Sequence, residues 1–313
     1  MPRYLLTGGR QRVSRLIRRE EWTSFEKAVV LSLDTDSGTF ETLLEYEGPP
    51  DRVPEQDPSH VFKSASWDGD RLLLCTQTEV LVFDPVARRV ERSISHPWFN
   101  DVHHVRRVEG RLNVVSTGLD ALLELEDEGV VELHSATGES PWQRFDRERD
   151  YRRVATTKPH EAHPNYLFVS EGRRWLTRFE QGDALAIDGE GRVPVADDPI
   201  HDGDDFWFTV VSGKVVHATS GRTWDLTKLG RPAPLGWCRG LVVEPQRALV
   251  GFSRLRPTLL KQNLSWLRKP LGRAPEPAPT RVVAYDLEAG RELQSWAVEP
   301  HGISALFSIL PWP

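Results

Sequence analysis

Cysteine is nearly absent. Cys75 and Cys238 are the only two in 313 residues, which excludes a disulfide framework and any cysteine-rich zinc module. Each reads as a packed thiol; the alternative at Cys238 is a pKa lowered by the neighbouring Arg239. Long apolar runs are absent too. No stretch reaches the roughly 18 apolar residues of a membrane-spanning helix, and Met1 to Gly9 lacks the apolar core of a signal peptide, so a cytoplasmic location is expected. Nor is there the basic excess of a nucleic-acid binder: 40 Lys+Arg stand against 46 Asp+Glu, and the pI is about 6.0. No Gly-x-Ser-x-Gly elbow occurs, and no glycine loop leads into a helix as phosphate and dinucleotide loops require.

What is present is a repeat. A histidine or arginine recurs where an apolar run begins: His60 before Val61-Phe62, His103-His104 before Val105, His163 before Pro164, His201 after Ile200, Arg239 before Gly240-Leu241, and His301 before Gly302-Ile303. Similar runs of short strands follow, among them Arg71 to Thr76, Arg111 to Ser116 and Ala248 to Ser253, then Val80 to Asp84, Ala121 to Leu125 and Val282 to Asp286. Self-similarity at about 40 to 60 residues marks a propeller or a solenoid.

The count predicts five full blades over about 59–299 and two leftover pieces. Residues 1–47 supply three strands without an inner one, and 301–313 supply an inner strand without its partners. Joined, they make a sixth blade and protect the open edges of the ring. The expected fold is an all-β, six-bladed β-propeller forming a single domain over 1–313, closed by N-terminal strands pairing with the C-terminal inner strand.

Long interruptions at about 8–27, 138–159 and 254–280, with a shorter link at 48–58, are expected to rise on the face where the histidines lie. They carry Arg10, Arg12, Arg15, Arg18, Arg144, Arg147, Arg152, Arg153, Arg254, Arg256 and Lys261, among other basic residues. Such a rim focuses potential for an anionic small molecule. It also offers a surface for a protein partner. Within the third interruption, Leu260, Leu264 and Leu267 share a face of an amphipathic segment, read as a short lid helix.

Inner strands line a propeller's axis, so the recurrent residues are expected to converge there. His60, His104, His163, His201 and His301 are the candidate metal ligands, since imidazole suits iron, copper or zinc. His104 is preferred to His103 because adjacent strand residues face opposite ways, and His160 is assigned to the lid. Arg239 stands where other blades place histidine and is the candidate clamp for a carboxylate, sulfate or phosphate. Asp202 is the candidate catalytic acid beside it. The function expected is a metal-dependent enzyme, an oxidoreductase or oxygenase among the options. A metal-free transferase or lyase using axial His and Arg, and a non-catalytic binding propeller, stay open.

Trp237 to Leu241, Val250 to Pro257 and Val282 to Gly290, spaced by a variable insertion, resemble the C-terminal part of a family of uncharacterised bacterial six-bladed propeller proteins. The resemblance implies the fold and brings no reaction. The axial histidines are similar in architecture to those that hold iron in carotenoid-cleaving oxygenases. With arginine they are also similar to those of bacterial arylsulfate sulfotransferases, which work without a redox metal. The sequence motifs of neither family occur.

Overall fold

A computed structural model describes residues 2–12, 25–56, 58–230, 235–255 and 278–313. These residues form six four-stranded antiparallel sheets, the blades of a propeller. From the inner strand outward, blade 1 is Ser64–Asp68, Arg71–Cys75, Val80–Asp84 and Arg89–Ile94; blade 2 is Val102–Val108, Arg111–Ser116, Ala121–Glu126 and Gly129–Ser135. Blade 3 is Pro164–Ser170, Arg173–Arg178, Asp183–Ala186 and Arg192–Pro194; blade 4 is Ile200–Asp204, Trp207–Val210, Lys214–His217 and Arg222–Asp225. Blade 5 is Trp237–Glu244, Arg247–Ser253, Arg281–Asp286 and Arg291–Ala297. Among the described residues no helix is long and apolar enough to cross a membrane.

Burial explains the strand order. Second strands such as Arg71–Cys75 are apolar on both faces, because each blade is covered by a neighbour on either side. Fourth strands such as Arg89–Ile94 are mostly exposed and charged, which blunts the outer edge. The apolar clusters therefore lie between blades: Leu73 and Val80 of blade 1 meet Val102, Val105 and Val114 of blade 2 in one continuous core.

Blade 6 is built from both ends of the chain. Its inner strand Ala305–Pro311 pairs with Arg3–Gln11, which pairs with Phe25–Asp34 and then Thr39–Tyr46. Tyr4 lies opposite Pro311 and Thr7 opposite Ser308. Glycine is required at position 8, where a Cβ would stand 2.2 Å from the Ala305 carbonyl oxygen. This is the closure expected from the leftover pieces.

Five of the inner strands carry a register shift, and these decide where side chains point. Pairing skips His103 in blade 2, Asn165 in blade 3, Gly240 in blade 5 and Phe307 in blade 6, and it shifts between His201 and Asp204 in blade 4. A bulge leaves one residue unpaired and re-aims its neighbours.

Of the expected rim, residues 13–24 and 256–277 lie outside the described residues, and with them the whole amphipathic lid segment. Segment 138–159 folds into two short 3₁₀ turns, Pro141–Gln143 and Tyr151–Arg153, anchored by buried Tyr151. Three of its five arginines are staples. Arg144 reaches Asp120 at 3.0 Å, Arg152 reaches Asp150 at 2.7 Å, and Arg153 binds the Val53 carbonyl and Glu55, both at 2.6 Å. Charge satisfied in this way projects little field into solvent, so this part of the rim is less basic in effect than its composition implies.

Candidate axial site

The bulge in blade 2 reverses the expected choice between two histidines. Pairing passes from Val102 opposite Ser116 directly to His104 opposite Val115, so strict alternation does not hold and His103 faces the axis. His104 turns into the space between blades 2 and 3, where its ring stacks 3.9 Å from that of Tyr166 and its Nδ1 accepts from the Leu167 N–H at 3.4 Å. His104 is thus a buried interblade residue.

Two further expected ligands lie elsewhere. His301 ends an exposed 3₁₀ turn, Glu299–His301, and stacks on Phe40 of an outer strand with ring centres 4.1 Å apart. Gly302, at φ +101°, terminates that turn before the inner strand begins at Ala305. His60 accepts from the Gly48 N–H at 3.0 Å through Nδ1, and its backbone N–H donates to the Phe25 carbonyl. It is tied to the junction of blades 6 and 1, and the axial place in blade 1 goes to Lys63, three residues on.

The structure does bring Lys63, Asp101, His103, His163, His201 and Arg239 together. The Lys63 ammonium, 6% exposed, is ion-paired with Asp101 and lies 2.8 Å from Nε2 of His103. The His103 ring meets His163 edge to face at 5.0 Å, and Phe179 separates His163 from His201 at 4.8 and 5.1 Å. Arg239 lies 4.4 Å over Phe307, the bulged residue of blade 6, and 5.5 Å from Trp237. His160, assigned from sequence to the lid, faces His163 with Nδ1 atoms 3.1 Å apart.

Asp120 positions this cluster from a neighbouring blade. Held left-handed at φ +51°, it accepts from the backbone N–H groups of Glu161, Ala162 and His163 at 2.8, 3.0 and 2.8 Å, and from Arg144. One buried carboxylate thereby fixes the loop that carries His160 and His163. Asp202, at φ +54°, plays a similar part between blades 4 and 5: its Oδ2 accepts from the Gly240 N–H at 2.5 Å and the Thr209 hydroxyl at 3.1 Å.

Burial sets the charge states. It pushes His103 down to about 3, with Lys63 adding to the effect, and holds His163 and His201 well below the usual imidazole range. The charges of Arg239, His103 and Lys63 add to the lowering at His201. Burial opposes ionisation of Asp101, but Lys63 and then His103 outweigh it and keep that carboxylate well below its ordinary value. Asp202 is raised to about 6, mainly by burial. Burial also raises the Cys238 thiol, so the neighbouring arginine does not activate it.

Among the described residues, one set of three carboxylate and imidazole groups has ligand atoms within 4.8 Å of one another: Glu124, Glu132 and His134. It lies on the outer strands of blade 2, where Arg111 and Arg174 already bind Glu124. Two guanidiniums on that carboxylate supply the positive charge a metal would bring.

Lys63 and Asp120 are what sequence reasoning missed. Neither is an imidazole, and neither stands in a motif. A usable signal for Lys63 is its place immediately before an inner strand, as with His163.

No protein-family model and no curated protein sequence matches this chain. Solved structures do. A protein of unknown function from Bacteroides caccae superposes with TM-score 0.54 at 14% identity, covering 99% of both chains. A nidogen/laminin complex gives TM-score 0.57 at 11% identity, covering 99% of this chain and 98% of that one. Streptogramin B lyase gives 0.47 at 11% identity over 95% and 87%. Identities this low carry architecture and no reaction; the chain is a six-bladed β-propeller.

Proposed function

We propose that the protein is an enzyme whose axial site performs metal-free acid–base chemistry on an anionic small molecule, of the lyase or transferase type. The observation that carries this is Lys63. Its ammonium sits between the Asp101 carboxylate and His103 Nε2, the place a bound cation would take between those two ligands. The site therefore has a built-in cation. Neutral imidazoles at His103, His163 and His201 can give or take a proton, and Arg239 supplies a second fixed charge for the substrate.

The test is a mass-spectrometric turnover screen of anionic small molecules with untagged protein, with and without chelator. Turnover should survive chelation and fall about 100-fold or more in His103→Phe. Loss of all turnover on chelation would sink the reading.

A transition-metal enzyme, with an oxygenase among its forms, is the second reading. It is favoured by the facing Nδ1 atoms of His160 and His163, 3.1 Å apart, close enough to share an iron, copper or zinc ion. Elemental analysis separates the two: stoichiometric metal, lost in a His160→Ala, His163→Ala double variant, would establish the second reading.

A further inference from the structure

A neutral imidazole has one N–H and one bare nitrogen, and its partners decide which is which. Asn165 Nδ2 lies 2.8 Å from the Ile200 carbonyl, which only accepts, while Asn165 Oδ1 takes the Thr177 hydroxyl. That fixes the amide. The same Nδ2 faces His201 Nδ1 at 3.2 Å, so Nδ1 accepts and Nε2 carries the proton. His201 is 7% exposed, and its Nε2 has no hydrogen-bond partner among the described residues. An enclosed N–H without an acceptor is costly to keep.

The same logic applies to His103. Lys63 only donates, so Nε2 of His103 accepts from it and the proton sits on Nδ1. Of the three N–H groups of Lys63, Asp101 and His103 take two. Asp101 and Asp202 balance the charges of Lys63 and Arg239, yet the Asp101 Oδ1 is held by Lys63 and the Asp202 Oδ2 by the Gly240 N–H and the Thr209 hydroxyl. Among the described residues these pairings leave a donor over on Lys63, on His103 and on His201.

We infer that the axial ligand carries a tetrahedral oxyanion, a phosphate or sulfate group, received by N–H donors of Lys63, His103, His201 and Arg239 from four separate blades. Donors arranged around an axis suit a group whose oxygens point in four directions. A carboxylate is planar and presents its oxygens along one edge, which fewer of these donors can serve at once. The inference rests on the axial site proposed above and names the class of its substrate.

Calorimetric titration with inorganic phosphate, inorganic sulfate and acetate at matched ionic strength tests it. Phosphate or sulfate should bind saturably at one site per chain, with acetate about tenfold weaker or worse; the tighter of the first two identifies the natural group. Arg239→Lys, which keeps charge and loses the planar fork, and His201→Phe, which keeps a ring and loses the donor, should each weaken binding about tenfold. Should His201→Phe unfold, Arg239→Lys alone decides. Phosphate binding indifferent to the substitutions, or acetate bound as tightly, overturns the inference. Acetate bound in its place would leave the axial anion site standing and remove only the tetrahedral ligand. If none of the three binds, the oxyanion falls, and the acid–base reading is judged separately by its turnover screen.

Discussion

Replacing Asp120 with asparagine removes one charge from beneath three backbone N–H groups and one guanidinium. Hydrogen bonds to a charged acceptor contribute about 1.5–3 kcal/mol each. Asparagine keeps one accepting oxygen, so Asp120→Asn should lower unfolding free energy by about 3 kcal/mol, read by urea denaturation. Lys63 offers a sharper case. Lys63→Met strands a largely buried Asp101 carboxylate and should cost about 3 kcal/mol or more. Adding Asp101→Asn should restore much of that loss, and a double-mutant cycle in denaturant measures the coupling. An additive pair would show that the Lys63–Asp101 contact contributes little. Neither Lys63 nor Asp120 was legible beforehand, because a lysine or aspartate at a strand end looks like ordinary surface chemistry until the opposing chain is known.

At the level of the strand, the periodic apolar runs announced the blades, since a second strand covered on both faces must read as a continuous apolar stretch such as Leu72-Leu73-Leu74. Bulges left no comparable mark. Whether His103 or His104 faces the axis depends on one unpaired residue, and a shift of one position exchanges the two faces of a strand. The inner strand of blade 1 has no such bulge; there the histidine pattern leads to His60 and passes over Lys63. Gly240 tests how far the site depends on such a bulge. Its φ is +76°, and a Cβ there would meet Ile309 Cγ1 at 2.9 Å. Gly240→Ala should therefore destabilise the protein by about 1–3 kcal/mol. It should also weaken oxyanion binding, because the strained residue adjoins Arg239 and donates the N–H that holds Asp202. Thermal unfolding and titration of the same variant report the two effects separately.

Across the whole molecule the buried histidines set an acid limit. His103, His104, His163 and His201 all have folded-state values below the ordinary 6.5, chiefly through burial. Below pH 6.5 the unfolded chain binds protons that the folded chain refuses, so stability falls as pH falls through that range. Each such group costs about 1.4 kcal/mol per pH unit until its folded value is reached. Asp202 works in the opposite direction: raised to about 6, it favours the folded state at low pH and loses that contribution as pH rises from about 4 through 6. Four histidines outweigh one carboxylate, and urea midpoints should drop steeply between pH 6.5 and 5. His104→Gln should shallow that slope without affecting ligand binding, as suits a residue lodged between blades.

The pairing of Arg3–Gln11 with Ala305–Pro311 also orders events during synthesis. A ribosome delivers Arg3–Gln11 before blades 1 to 5 and Ala305–Pro311 after all of them, so ring closure waits for every other blade. Phe307, the seat beneath the Arg239 guanidinium, belongs to the late strand. A nascent chain halted before Ala305 would already contain every imidazole of the axis and would lack the nearer of the two rings against its arginine. Assembly of the axial cluster is thereby tied to ring closure, and no open ring would hold the whole of it.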